Sequence, residues 1–181
     1  MLYYASKRNY QIRRDPAVVV ARGAGAEGVT MGSDAEVVLG VIQAVEERDG
    51  EKLLELYRED VQLHDAPSLP YGGVVDGVPS LKEQLEGAPE NTWLGTWGPV
   101  QPTEAEQRFD PRVISEKDGE VVVLYHMRAV APDGERFESP VIGLYEVRDG
   151  KLARAQMFHY DTAAINAFLT RARETRASTA A

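Results

Sequence analysis

Asp65 ends a short alternating apolar run, Val61 and Leu63, and opens the turn-rich segment Ala66-Pro67-Ser68-Leu69-Pro70-Tyr71-Gly72-Gly73. Alternation along a strand turns it to the same side as Val61 and Leu63, toward a core, with His64 pointing out. A carboxylate in a dry pocket has its pKa raised by desolvation, which makes it a stronger base at neutral pH. Such a base can take a proton from a substrate carbon or from water. The plain alternative is that Asp65 accepts hydrogen bonds from backbone amides of the turn that follows. Three further groups suit such a base: His126, Arg128 and His159. A guanidinium would keep Asp65 ionised and steady a developing enolate, and imidazoles relay protons. The competing reading makes His126 and Arg128 a solvated stripe and His159 a packed core histidine.

The elements must bring these groups together. Ser33-Asp34-Ala35-Glu36 reads as a capping box, and Val37, Val38, Val41, Ile42 and Val45 follow at helical spacing. A second helix carries Leu53, Leu54, Leu56 and Tyr57, and a strand over 61–66 follows. Val74-Val75-Asp76 reads as extended, and Pro79 starts a third helix closed by Gly87. From about residue 92 the period becomes two. Trp93–Val100 and Arg108–Ser115 are read as strands, the latter at an edge because of Pro111. Val121–Ala131, Arg136–Val147 and Lys151–Tyr160 are three long strands, turned at Asp118-Gly119, Asp133-Gly134 and Asp149-Gly150. Asp161 caps a last helix holding Ile165, Phe168 and Leu169.

Helices early and strands late indicate an α+β fold: a curved, mostly antiparallel sheet wrapped around three N-terminal helices, leaving a pocket. Counting across the turns puts His126, Arg128 and Val130 inward, with Val141, Gly143 and Tyr145, and with Ala155, Met157 and His159. A one-residue bulge would exchange the sets. Leu63, Tyr71, Trp93, Val130, Val141, Tyr145 and Met157 are then the expected substrate contacts.

Composition removes several classes of function. The chain has 181 residues, 43% of them hydrophobic, which suits one domain. No apolar stretch is long enough for a membrane span. Without cysteine there is no disulfide, thiolate catalysis or cysteine-held zinc, and a reducing, cytoplasmic setting is expected. A net charge of −9 argues against nucleic acid. Three scattered histidines make a metal site unexpected, and no glycine-rich phosphate cradle or Gly-x-Ser-x-Gly elbow occurs, so no cofactor is expected. Residues 1–30 hold five basic groups against two acidic ones, and patterned sequence begins after Met31. Residues 1–32 are read as a disordered or non-native leader, with a transit peptide as the alternative. The domain is placed at 33–170 and a polar tail at 171–181.

The order of elements, His64-Asp65-Ala66-Pro67 after the second helix, Pro70-Tyr71-Gly72-Gly73, and Phe158-His159-Tyr160-Asp161-Thr162-Ala163-Ala164 resemble the SnoaL-like branch of the nuclear transport factor 2-like superfamily. That superfamily includes ketosteroid isomerases, polyketide cyclases, scytalone dehydratase and limonene epoxide hydrolase. The resemblance implies a cone fold, a homodimer through the outer sheet face, and a general base at Asp65. The oxyanion-hole tyrosine and aspartate of ketosteroid isomerases fall at Val41 and Gly143, so steroid isomerisation by that route is not expected. The leading expectation is a cofactor-independent isomerase or cyclase acting on a small apolar carbonyl compound of polyketide or terpenoid type. Alternatives are water activation, since His126-x-Arg128 with His159-x-Asp161 loosely echoes the Asp–Arg–Asp set of limonene epoxide hydrolases, and a non-catalytic small-molecule-binding module.

Overall fold

Three hairpin connections set the sheet, and they are not alike. The computed structural model describes residues 33–86, 88–102 and 108–179, with Ser33 by its backbone only. Asp118-Gly119 and Asp149-Gly150 have positive φ at both residues, the two-residue turns expected from sequence. They join β3 (Arg112–Lys117) to β4 (Glu120–Val130) and β5 (Arg136–Arg148) to β6 (Lys151–His159). The β4–β5 connection differs. Only Gly134 of its pair has positive φ, at 88°, and Ala131 brackets the loop with Glu135 through a 2.9 Å backbone hydrogen bond. This is a three-residue loop, Pro132-Asp133-Gly134, instead of a two-residue turn. Pro132, with φ held near −65°, suits the first position of a type I turn, and Gly134 takes the left-handed residue that closes it.

That one extra residue flips β4. Val130 pairs with Arg136 and Tyr125 with Val141, so Val121, Val123, Tyr125, Met127 and Ala129 are buried. His126, Arg128 and Val130 face the opposite side, contrary to the phase counted from a two-residue turn. The other phases hold: Val61, Leu63 and Asp65, then Val141, Gly143 and Tyr145, then Ala155, Met157 and His159 share the inner face.

Among the described residues the sheet has six strands in the order β2-β1-β6-β5-β4-β3. β1 (Tyr57–Asp65) runs parallel to β6 and antiparallel to β2 (Gly73–Asp76). Before them come α1 (Ser33–Glu47) and α2 (Gly50–Leu56), and the Asp49 side chain caps α2 by accepting from the Lys52 amide at 2.9 Å. Tyr57, expected in that helix, begins β1 instead, and a register shift lies between it and Gln62. α3 (Gly77–Leu85) starts ahead of Pro79, which sits in the first turn, where its missing N–H costs nothing. The Ser33 side chain of the expected capping box, the closing Gly87 and the leader lie outside the described residues. At the start of α1 the Ala35 amide donates to Glu116 Oε1 of β3 at 3.4 Å.

Residues 93–100 are helical, contrary to the strand reading: α4 (Trp93–Trp97) runs into a 3₁₀ turn over Gly98–Val100. Thr92 caps α4, accepting from Gly95 N at 3.1 Å. Trp93, Trp97 and Val100 stand at helical spacing, which packs Trp97 into the core and leaves Trp93 on its edge. α5 (Thr162–Thr179) also runs past the expected boundary at 170. Buried Ala172 continues the stripe of Ile165, Phe168 and Leu169, and Arg171 bonds Glu135 at 2.6 Å. Phe168 stacks on Phe137 at 4.8 Å and on Trp97 at 6.5 Å, which closes this part of the core.

Candidate functional site

Parallel pairing makes the C-terminal ends of β1 and β6 neighbours, and those ends carry Asp65 and His159. Asp65 Oδ1 lies 3.1 Å from His159 Nε2, with the side chains 13% and 2% exposed. Among the described residues the Asp65 carboxylate accepts from this ring and from no backbone amide of the following turn, so the turn-cap reading is not what is observed. An ionised Asp65 requires the hydrogen on Nε2. His159 Nδ1 is buried without a partner, which suits a lone pair there better than an unmatched N–H. The imidazole therefore fixes one carboxylate oxygen and leaves the second for other work.

A cavity of about 210 Å³ opens against this pair. Asp65 and His159 line it together with Leu63, Tyr71, Trp93, Tyr145 and Met157, all picked out from the sequence. Val141 is buried on the same face but is not part of the lining. His126, Arg128 and Val130 are not part of it either, because the three-residue loop puts them on the other face. There His126 Nδ1 lies 2.7 Å from Glu138, and Arg128 lies 3.5 Å from Glu138 and 3.6 Å from Asp110. Asp161 caps α5 by accepting from Ala164 N at 2.9 Å. The loose epoxide-hydrolase set is thus not assembled.

In place of the guanidinium, Tyr71, Tyr125 and Tyr145 come close enough to feel the charge of Asp65, and Tyr57 lines the cavity from the opposite end of β1. Tyr57, Tyr71, Tyr125 and Tyr145 are all buried and line the cavity. Burial pushes every one of them above the ordinary phenol range, and the charge of Asp65 pushes Tyr71, Tyr125 and Tyr145 further the same way. They are O–H donors throughout the neutral range. Tyr145 owes its position to Gly143: a Cβ there would stand 2.6 Å from the Tyr145 hydroxyl and ring carbon Cζ. The ring lies across the space that a side chain at 143 would fill. A phenol therefore occupies the side of the strand where the resemblance implies an aspartate. Tyr57 and Tyr125 were not singled out from sequence. Pro132 ahead of Asp133-Gly134 is the signal that would have found Tyr125.

Among the described residues no group of three or more His, Cys, Asp or Glu side chains is placed to hold a metal, and no helix is long and apolar enough to cross a membrane.

The SnoaL-like domain family matches residues 38–155, more than half of the chain. The chain belongs to that family. No curated protein sequence matches it. Among solved structures this SnoaL-like protein is similar to TerC, co-crystallised with polyporic acid, at 22% identity and a TM-score of 0.61, over 77% of this chain and 99% of that one. It is similar to an NTF2-like protein of unknown function from Burkholderia pseudomallei, at 21% identity and TM-score 0.62, over 77% and 99%. A proposed polyketide cyclase from Xanthomonas campestris matches at 17% identity and TM-score 0.55, over 77% and 96%. These likenesses establish the nuclear transport factor 2-like cone.

Proposed function

We propose that this SnoaL-like protein is a cofactor-independent isomerase or cyclase that moves a proton on a small, mostly apolar carbonyl compound, with Asp65 as the general base. The observation that carries this is the Asp65–His159 contact of 3.1 Å against a cavity otherwise lined by apolar and phenolic side chains. The free oxygen of Asp65 takes a proton from the carbon next to the carbonyl. The C–H electron pair becomes the enolate double bond, and the carbonyl oxygen takes the charge. Phenols at 71 and 145 donate to that oxygen, with Tyr125 donating in turn to the Tyr145 hydroxyl, and fixed donors in a water-poor site are worth most where charge develops. The carboxylic acid formed on Asp65 returns the proton to a different carbon, or the enolate carbon closes on a second carbonyl within the same molecule and the acid protonates the alkoxide that forms. His159 acts as a positioning residue, holding the carboxylate by its other oxygen.

The proposed polyketide cyclase and TerC among its structural neighbours favour a ring-forming or ring-bearing substrate. The lack of cysteine suits work in the cytoplasm. The outer face, where Ile142 and Phe158 are 48% and 50% exposed, is proposed as a homodimer contact, and Phe158→Asp should shift the mass in sedimentation equilibrium toward the monomer.

The test uses 2-tetralone, an apolar ketone with acidic α-protons, incubated in D₂O and followed by NMR. Wild-type protein should speed deuterium uptake at the α-carbons, and Asp65→Asn should lose about 10²–10⁴ of that rate, the range of a general base. Equal uptake with the two proteins would reject the assignment. Binding of 2-tetralone without any uptake would make the domain a binding module.

A further inference from the structure

We infer that the cavity is built for an anionic ligand, with Arg48 at its edge binding a carboxylate or acidic enol oxygen. The inference rests on the cavity being the ligand site and adds the chemical class of what enters it. Arg48 lines the cavity, is exposed, and makes no ion pair among the described residues. It follows α1 with a φ of 59°, a left-handed backbone that a residue with a Cβ adopts at a cost. Glycine is the ordinary occupant of such a position after a helix. The turn is a Schellman-type cap, with the Asp49 amide donating to the Ala44 carbonyl at 2.9 Å, and it leaves at the wall of an apolar cavity a cation with no carboxylate paired to it among the described residues, which an anionic ligand can meet.

A second arginine backs the first. Arg108 is 1% exposed, and its guanidinium lies over the rings of Trp93 and Trp97 at 5.6 and 5.8 Å. Its hydrogen bonds go to neutral acceptors, Gln101 Oε1 at 2.7 Å and the Trp97 carbonyl at 2.9 Å. Glu46, the carboxylate that acts on it, spends both oxygens on the backbone amides of Arg108 and Phe109, at 2.6 and 3.0 Å. Burial lowers the guanidinium to about 10, and the charge of Arg48 adds to that, so the two cations feel each other.

Arg108 Nη1 is buried without a hydrogen-bond partner, and Trp97 Nε1 is directed at the Tyr71 oxygen, which leaves the Tyr71 O–H without an acceptor. They belong to one packed group, with the Tyr71 and Trp97 rings 6.3 Å apart. Trp93 and Tyr71 carry the group to the cavity wall. The cavity therefore has two poles. Asp65 and His159 mark one, and Arg48 with Arg108 behind Trp93 marks the other. A flat apolar acid would bind with its anionic group at the arginines and its reactive carbon toward Asp65. Arg108, buried behind Trp93, adds its charge through the dry side of the wall, where attraction is stronger than in open water.

Isothermal titration calorimetry of the full chain with 2-naphthoate and the neutral isostere 2-naphthamide tests this. Wild-type protein should prefer the naphthoate by about tenfold or more, and the preference should shrink as salt is raised. Arg48→Gln removes the charge at an exposed position and should reduce the preference to about threefold or less, with naphthoate binding weakened more than naphthamide binding. Equal affinities in the wild type, a preference that survives Arg48→Gln, or no binding of either probe would each overturn the inference. Failure here leaves Asp65 as base standing if 2-tetralone exchange still depends on Asp65. Failure of that exchange leaves the anion site standing if the naphthoate preference persists.

Discussion

Two histidine–carboxylate pairs sit on opposite faces of the same sheet. On the outer face His126 and Glu138 are 2.7 Å apart and 31% and 52% exposed. On the inner face His159 and Asp65 are 3.1 Å apart and 2% and 13% exposed. The shorter contact is the one with less to do. Water and salt screen an exposed pair, so its net effect is small whatever its length. The inner pair is placed against a cavity with phenols around it, where a carboxylate cannot trade its partner for water without cost. Environment, more than distance or residue type, separates a catalytic candidate from a surface ion pair.

Disabling each carboxylate in turn separates the two pairs most clearly. Asp65→Asn should lower 2-tetralone exchange by about 10²–10⁴, whereas Glu138→Gln should change it by less than about twofold. Initial rates at matched protein concentration decide. Tyr145→Phe keeps the ring over Gly143 and removes the hydroxyl, which also accepts from Tyr125, and should lower the exchange kcat on the order of 10² with a drop of only a few degrees in thermal midpoint. Gly143→Ala presses a methyl into the Tyr145 ring, so denaturant unfolding should show a loss of about 1–3 kcal/mol, while half-exposed Ile142→Ala beside it should cost less than about 1 kcal/mol in the monomer.

The smallest expected effect concerns pH. Arg171 bonds Glu135 and holds its carboxyl below the ordinary carboxylate range. The unfolded chain then takes up the proton first as pH falls. The tie is fully present at neutral pH and is lost below about pH 4.5. Arg171→Gln should lower the thermal midpoint slightly at pH 7 and no further at pH 3.5. A larger loss at the lower pH would reverse the sign.

The inner face was legible in sequence wherever local chemistry set the phase. Val61, Leu63 and Asp65 alternate cleanly. Asp149-Gly150 takes positive φ at both residues as expected, yet a plain count across it would pair Val141 with Phe158; a bulge between Glu146 and Val147 shifts the register by one residue and sets His159 opposite Val141. In β4 the shift lies at the turn itself, because Pro132 lengthens the loop by one residue and exchanges Tyr125 with His126. Residues 93–100 misled for another reason: alternation and helical spacing coincide over so short a run, and the Thr92 cap decides between them. Tyr57 follows Leu56 without a break, so nothing local marks where α2 becomes β1. Position 143 shows a limit of residue-by-residue transfer from a resemblance. A missing aspartate looked like lost function, yet its neighbour two residues on fills the space with a phenol.

The chain has three histidines, so NMR of protein labelled with ¹⁵N in the imidazole rings can follow each one while 2-tetralone is added. The His159 ring nitrogens should shift with saturation, starting from the tautomer with hydrogen on Nε2, while those of His126 stay in place. Movement of His126 alone, or a His159 signal indifferent to ligand, would contradict a ligand site at Asp65 and His159.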